Sequence, residues 1–446
     1  MPLRTLEGAF LCYNISMTFA MRLKKRFYFV AAEYFRFFAN FSFKRWHPRV
    51  IAITGSVGKT TMLHLIEQQL GKRAHYSHDA NSAFGISFDM VGLKGIYGSK
   101  FRWIILILAA PIHALFFKHR EEFYVVEIDG ERPHEAEFIA KWLKPEVTLW
   151  VALGRSHAVQ FENQVKDGIF ENIDKAITHE FAMIPQHTQK KIYIDGDVSL
   201  MVRACEKVKL HHNIAADIEK CYKSDCKRYS VHADHTDFTL GNNKFHFYNP
   251  MPADLAIQLS QLQKLCDYLN VKIKTDFKKM PLPPGRNSYF EGKNGLKLID
   301  SSYNAHLISM EAIMEMVGEM KEDHKWLIIG DMVEQGEIEK EEHEKLAKVL
   351  MDVKPEQIIL IGRRTEKYTA PILKKHKVNV FTTLEPREAL KYIEDNTKGG
   401  ETLVFKGSQY LEWIIEKLLK NPDDAKELPR RGKGAIKRRK NRGLDS

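Results

Sequence analysis

Apolar residues recur along this chain in two alternating rhythms. Short runs that are apolar at nearly every position, such as Val50–Ile53, Tyr124–Ile128 and Val147–Leu153, alternate with stretches like LHLIEQQL whose apolar positions fall three and four apart. The first pattern predicts strands covered on both faces, the second predicts amphipathic helices packed on them. Residues 192–250 read as strand-rich (KIYIDGD, YSVHADHTDFTL, NKFHFYN), and Leu255–Leu269 as a helix. The rigid run Pro281-Leu282-Pro283-Pro284-Gly285 marks a domain boundary. Beyond it the alternation is regular: GLKLIDSS, a helix over 309–319, KWLIIGD, a helix over 341–350, EQIILIG, NVFTT, a helix over 385–394, and ETLVFKGS. Regular β-α alternation predicts a parallel, doubly wound sheet whose ligands lie off the carboxyl ends of its strands. Asp300, Asp331 and Lys406 fall at such ends.

Two segments break this rhythm. Residues 1–49 read as helix, with Phe27, Phe29, Tyr34, Phe35, Phe37, Phe38, Phe41 and Phe43 interleaved among arginines and lysines. Such a stretch lies either in a membrane interface or on the protein's own body. Trp103–Phe117, WIILILAAPIHALFF, is the most apolar window, but it is short and interrupted by Pro111 and His113. It predicts a buried helical hairpin or a segment dipping into a bilayer interface, within an apolar insertion at about 95–120, and not a transmembrane helix.

Charge sharpens this picture. The formal net charge of +11 is concentrated at the ends: +7 over residues 1–49 and +5 over 422–446, leaving −1 for the body. Basic ends on a neutral body point to an anionic surface as partner. Nucleic acid ranks below membrane, since no nucleic-acid recognition fold is evident. The basic tail 422–446 is expected to be disordered. Five cysteines without a CxxC pair predict reduced thiols in a cytoplasmic protein, peripheral on the membrane if 1–49 and 101–117 touch it. The expected domains are therefore 1–49, 50–280, 285–421 and the tail.

The chemistry concentrates in VIAITGSVGKTT, a strand turning through Gly55, Ser56, Val57 and Gly58 into a helix that begins Lys59-Thr60-Thr61. A glycine turn feeding a helix N-terminus aims several N–H groups at one anion. Lys59 adds a charge for the outer phosphates, and the Thr60 hydroxyl is placed for Mg²⁺. The general G-x-x-x-x-G-K-[ST] pattern requires a glycine where Ile53 stands. The shorter G-x-x-G-K-T-T resembles the ATP loop of the Mur ligase superfamily. Further phrases in the same order strengthen the resemblance: YVVEI with Glu127, GRSH with His157, PPGRNSYFEGKNGLKLIDSSYNAHLISM, GDMVEQGE and FKGS. They are most similar to the enzymes that add D-alanyl-D-alanine to a UDP-muramoyl tripeptide.

The resemblance implies an α/β fold with a central P-loop domain, a C-terminal Rossmann-like domain and, here, an N-terminal amphipathic helical segment. It implies an ATP- and Mg²⁺-dependent ligase that phosphorylates a carboxylate and lets an amine displace the phosphate. Lys59, Thr60 and the loop 55–61 would hold the phosphates; Thr60, Glu127 and His157 would bind metal. Asn81 would lie near substrate. Arg286 and Asp300 match ATP-contacting positions across a domain junction, although the two could instead pair with each other. Tyr303 and Asn304 would wall the nucleotide. Asp331, Glu334 and His343 continue the match, and Asp331, Lys406 and Ser408 would face substrate. The family's carbamylated lysine has two candidate replacements, Lys175 and Glu180, in ENIDKAITHEF.

Two departures stand out: the 49 residues before the first strand, basic and aromatic in character, are too few to house the family's UDP-binding domain, and the apolar insertion has no counterpart. Both favour a membrane-held or lipid-linked substrate. The expected partners are a UDP- or lipid-linked cell-wall precursor and an amine or dipeptide donor. The alternatives are an amidating ligase acting on a lipid-linked precursor and a membrane-surface P-loop ATPase without ligase activity.

Overall fold

The computed structural model describes residues 19–446 except 79, 95–100, 131, 156–157, 213, 279, 304, 334 and 445–446; side chains 19–27 and 101 are also outside the description. The chain divides into two compact units, Met1–Tyr222 with Gln261–Ile273, and Lys223–Ser260 with Lys274–Ser446.

The first unit is built on six parallel strands: β1 (Arg49–Thr54), β2 (Ala74–Tyr76), β3 (Phe123–Ile128), β4 (Val147–Trp150), β5 (Lys191–Asp195) and β6 (Asp217–Cys221), in the order β2-β3-β1-β4-β5-β6. All six residues of β3 and five of the six in β1 are buried, so the runs show no polar alternation. The chain leaves β1 toward β2 and β3 on one side and reaches β4 on the other. The carboxyl end of β1 is thus a topological switch point, where the crevice of an open α/β sheet opens. Its helices include α1 (Phe19–Trp46), α2 (Lys59–Leu70), α3 (Ala83–Met90), α4 (Phe101–Phe116), α5 (Glu135–Leu143), α6 (Ile173–Gln186) and α7 (Ser199–His212). Helix α7 interrupts the otherwise strand-rich stretch 192–250; its Met201, Cys205 and Val208 are buried at helical spacing, and the helix expected over Leu255–Leu269 is α8 (Leu255–Tyr268).

The apolar window expected to form a hairpin is instead one helix, α4, over Phe101–Phe116. Pro111 lacks an N–H and so leaves the carbonyl four residues earlier without its helical partner. That carbonyl, on Ile107, accepts from the Tyr34 hydroxyl of α1 at 2.8 Å. Arg45 of α1 caps the other end of α4, donating to the carbonyls of Ala114 at 3.1 Å and Leu115 at 2.9 Å. A neighbouring helix therefore repairs the break that the proline predicts.

The second unit carries a six-stranded sheet of β10 (Ser288–Glu291), β11 (Lys297–Ser301), β12 (Lys325–Gly330), β13 (Gln357–Ile361), β14 (Val380–Thr383) and β15 (Thr402–Lys406), ordered β10-β11-β15-β12-β13-β14. Only β10 runs antiparallel, at the edge. Helices α9 (Leu307–Glu319) and α10 (Glu339–Asp352) supply one apolar layer through Met310, Ile313, Leu346 and Leu350. Helices α11 (Pro386–Asn396) and α12 (Leu411–Leu418) supply the other through Ala389, Ile393, Trp413 and Ile414. The doubly wound expectation holds here. A separate antiparallel meander, β7 (Cys226–Val231), β8 (Thr236–Leu240) and β9 (Asn243–Phe247), joins this unit, with Val231 and Ala233 in the Met310 layer. The sequence placed these strands in the 50–280 domain, because alternation shows which face is apolar and not what that face meets.

The basic tail also departs from expectation. Residues Lys433–Asn441 form a helix, α13; Leu428 and Leu444 enter the apolar layer of α11 and α12, and Arg439, 2% exposed, joins Arg431 on the Glu416 carboxylate. Charge counting reads such a tail as solvated; two leucines and a shared carboxylate dock it. The four described cysteines, Cys205, Cys221, Cys226 and Cys266, form no disulfide with one another.

Candidate active site

The loop after β1 is shaped by close backbone approach. A Cβ on Gly55 would lie 2.5 Å from the Ala152 carbonyl oxygen, and its φ of 135° is open only to glycine. Ser56 fastens the turn: its N–H donates to Ala152 O at 3.0 Å, its hydroxyl donates to Gly154 O at 2.7 Å and accepts from Gly154 N at 2.8 Å. Gly58, at φ 83°, starts α2 with no side-chain cap. The N–H groups of the first turn, from Lys59 through Thr61, are thus offered at the positive end of the helix dipole.

Around this N-terminus stands a chain of polar contacts. Lys59 Nζ lies 2.6 Å from Asp129 Oδ1 and also donates to the Gly55 carbonyl; both partners of the ion pair are about nine-tenths buried, at 12% and 10% side-chain exposure. The Asn81 amide donates to the other Asp129 oxygen, and the Asp129 N–H donates to Asn81 O at 3.0 Å. The Thr60 hydroxyl reaches Glu127 Oε2 at 3.3 Å, and the Glu127 N–H donates to Ser77 Oγ at 2.9 Å. The structure therefore brings Lys59, Thr60, Asn81 and Glu127 together. Sequence reasoning missed Asp129. Its signal was the spacing in Glu127-Ile128-Asp129, since residues two apart at a strand end share a face.

A triphosphate and a divalent cation suit this donor set. The uncapped N–H groups and Lys59 match phosphate oxygens, while the Thr60 hydroxyl and the Glu127 carboxylate are hard oxygen ligands. His157, the third expected metal ligand, lies outside the described residues. A separate His–Glu–His group occurs farther along α2, where Glu67 contacts His64 at 3.0 Å and His78 at 3.5 Å.

The two candidates for the bridging carboxylate occupy different settings. Lys175 is an exposed first-turn residue of α6 paired with Glu171, and Asn172 caps its N–H at 2.9 Å. Arg155, in the segment leading to His157, holds that helix start by two bonds to Asp174, at 2.8 and 3.0 Å. Glu180 is buried and accepts from the N–H groups of His134 and Ala136, both at 2.8 Å. Its carboxylate thereby satisfies the start of α5. Burial, with Glu135 and Glu137 nearby, pushes its pKa up to about 7 from the ordinary 4.5. A raised carboxyl pKa means that the folded protein holds the proton more tightly, so stability falls as pH rises from about 4.5 to about 7 and is flat above. Glu180→Gln removes this titration. The stability of the variant relative to wild type is expected to improve by about 3 kcal/mol between pH 5 and pH 8, read from thermal melts at both pH values. A difference independent of pH would show that burial does not perturb this group.

In the second unit, Arg286, Asp300 and Lys406 share one electrostatic field. Strands β11 and β15 pair in parallel, with Ser301 opposite Lys406. Burial lowers the Lys406 pKa to about 7, with Arg286 pushing the same way and Asp300 opposing. Burial raises Asp300 to about 6; its Oδ1 accepts from Ser302 N at 2.9 Å, while the buried Oδ2 has no hydrogen-bond partner among the described residues. The Arg286 guanidinium lies 4.9 Å over the Tyr303 ring, which is half exposed. Arg430, from the tail, donates to the carbonyls of Ser302 at 3.0 Å and Tyr303 at 3.1 Å and pairs with Glu412 at 3.2 Å. The sequence offered no sign that the tail supports this loop. Asn304 and Glu334 lie outside the described residues.

Asp331 and Ser408 were expected to face substrate, yet their polar atoms are engaged within the fold. Asp331 Oδ1 accepts from Arg364 N at 3.1 Å, Thr365 N at 2.9 Å and Thr365 Oγ1 at 3.1 Å; Oδ2 accepts from Gln409 Nε2 at 3.2 Å. The Ser408 hydroxyl donates to Asp331 O at 2.9 Å. A Cβ on Gly330 would lie 1.9 Å from Ser408 O, so the ends of β12 and β15 meet here backbone to backbone. His343 is also structural: its Nδ1–H donates to Glu339 O at 2.8 Å, its Nε2 accepts from Met332 N at 3.2 Å, and burial lowers its pKa, keeping it neutral.

With this geometry in hand, comparison with known proteins is decisive for the fold. Residues 285–409 match the family model of the Mur ligase glutamate ligase domain. Residues 285–409 thus carry a domain of the Mur ligase type. Among whole proteins, it is 23% identical over 407 residues to the UDP-N-acetylmuramoyl-tripeptide–D-alanyl-D-alanine ligase of Bacillus subtilis, covering 84% of this chain and 76% of that protein. The same-named ligase of Rickettsia prowazekii is 24% identical over 381 residues, covering 81% and 75%. Crystal structures of MurF from Acinetobacter baumannii (TM-score 0.66, 17% identity, 87% and 80% covered) and of MurF ligase from Thermotoga maritima in complex with ADP (TM-score 0.64, 18% identity, 90% and 85% covered) share the Mur-ligase-like α/β fold.

Proposed function

We propose that this protein is an ATP-dependent carboxylate–amine ligase of the Mur type, joining D-alanyl-D-alanine or a related amine to a muramoyl-peptide-type cell-wall precursor. The observation that carries the reading is the Lys59–Asp129 pair set at the uncapped start of α2, with Thr60 against Glu127. The reaction transfers a phosphoryl group from ATP to the acceptor carboxylate; the amine then displaces phosphate, leaving an amide and ADP. Its demand is neutralisation of charge on the transferring group, by fixed donors that need not reorganise. Lys59 meets this demand already oriented by Asp129 and the Gly55 carbonyl, so little conformational search remains. Mg²⁺, held by Thr60, Glu127 and His157, would supply further charge neutralisation. Within the second unit, the buried Asp300 oxygen without a hydrogen-bond partner among the described residues suits a donor group of a ligand, and the Arg286–Tyr303 stack suits a flat or anionic one.

The direct test is ADP release with ATP and Mg²⁺, offering UDP-linked or lipid-linked muramoyl tripeptide together with D-alanyl-D-alanine, single amino acids or ammonia. ADP release that requires both acceptor and amine, with an amide product by mass spectrometry, is expected. ATP hydrolysis indifferent to every acceptor and amine would replace the ligase reading with that of a P-loop ATPase.

A further inference from the structure

Helices α1 and α4 each carry two apolar stripes, and only one of each is covered. On α1, Ala32, Phe35 and Ala39 are buried, while Val30, Tyr34, Phe37 and Phe41 are exposed at 36–64%. On α4, Leu106, Ala110 and Ala114 are buried, while Ile104, Ile105, Leu108, Ile112, Leu115 and Phe116 are exposed at 58–76%. Both exposed sets recur at helical spacing, so each forms a single face. A surface helix ordinarily turns a polar face outward. The two faces are continuous: Tyr34 of the α1 stripe bonds the carbonyl of Ile107, itself 40% exposed, on α4. An apolar surface of this kind marks an interaction site.

We infer that this two-helix face docks on an anionic lipid surface, lying in the headgroup region without crossing the bilayer. Charge selects the occupant. Across residues 28–47 and 101–120 the cations are Arg36, Lys44, Arg45, Arg102, Lys118 and Arg120; the one carboxylate, Glu33, is paired with Arg36. Apolar side chains bordered by basic ones fit acyl chains below and anionic headgroups beside them. A second copy of the chain fits poorly, because two-fold pairing would set one basic border against another. Length selects the depth. The 16 residues of α4 extend about 24 Å, short of the roughly 30 Å hydrocarbon core, and no described helix is long and apolar enough to cross a membrane.

The inference stands apart from the ligase reading, and its test does not depend on turnover. Full-length protein is floated with vesicles of phosphatidylcholine alone or mixed with phosphatidylglycerol, alongside the double variant Leu108→Glu, Phe116→Glu. Wild type is expected to float with the anionic vesicles and far less with the neutral ones, more weakly at high salt. The variant, with an unchanged thermal melt, is expected to lose binding at least tenfold. No flotation of wild type with either vesicle would overturn the inference, as would equal binding by the variant. A wild-type dimer in light scattering that ignores vesicles and dissociates in the variant would also overturn it, assigning the face to a second copy.

Discussion

Replacing Lys59 by methionine is expected to lower ATP-dependent turnover by about three orders of magnitude while leaving the protein folded. Its contacts fix the ammonium at the α2 N-terminus, 2.6 Å from Asp129. Methionine keeps the length and the apolar stem but removes the charge that would neutralise a transferring phosphoryl group. The variant leaves the Asp129 carboxylate with its Asn81 partner, so the expected loss of stability is about 1–3 kcal/mol. The companion variant Asp129→Asn separates aim from charge: Lys59 keeps its charge but loses its anchor, and a smaller loss, about tenfold, is expected in kcat/KM. ADP-release kinetics and a thermal melt on both proteins check the pair. Turnover of Lys59→Met within tenfold of wild type would remove the loop from the chemistry.

The second large effect is structural. Asp331→Ala is expected to destabilise the second unit by about 3–5 kcal/mol, because it removes a fully buried carboxylate and leaves several donors facing nothing. The donors are the N–H groups of Arg364 and Thr365, the Thr365 hydroxyl and the Gln409 amide. Asp331→Asn keeps one acceptor oxygen and should fall between variant and wild type. The urea midpoint of unfolding measures both. A loss below about 1 kcal/mol would mean that water replaces the carboxylate. A normally folded Asp331→Asn with a raised KM would restore the substrate role expected from the sequence.

Legibility in the sequence followed the kind of signal. Val50–Ile53 and Tyr124–Ile128 were readable as strands because burial on both faces leaves an uninterrupted apolar run. The loop 55–61 was readable because its glycines answer to local backbone geometry. Asp129 was not, since a carboxylate at a strand end looks solvated until Lys59 is placed beside it. Asp331 lies off a strand end, where ligands sit, but no local pattern announces that Arg364, Thr365 and Gln409 engage its carboxylate. Lys175 and Glu180 were equivalent in the sequence, and only packing separated an exposed ion pair from a buried helix cap.

By itself the sequence determined the α/β rhythm, the glycine turn that feeds the α2 N-terminus and the basic, aromatic character of the N-terminal segment, because periodicity, glycine geometry and charge are local properties. The tertiary structure decided which faces remain uncovered on α1 and α4, which carboxylate holds Lys59, and that the tail supports Tyr303 through Arg430. Each of these depends on contacts between residues far apart in the chain, and desolvation by such contacts sets the partners and pKa values of buried groups.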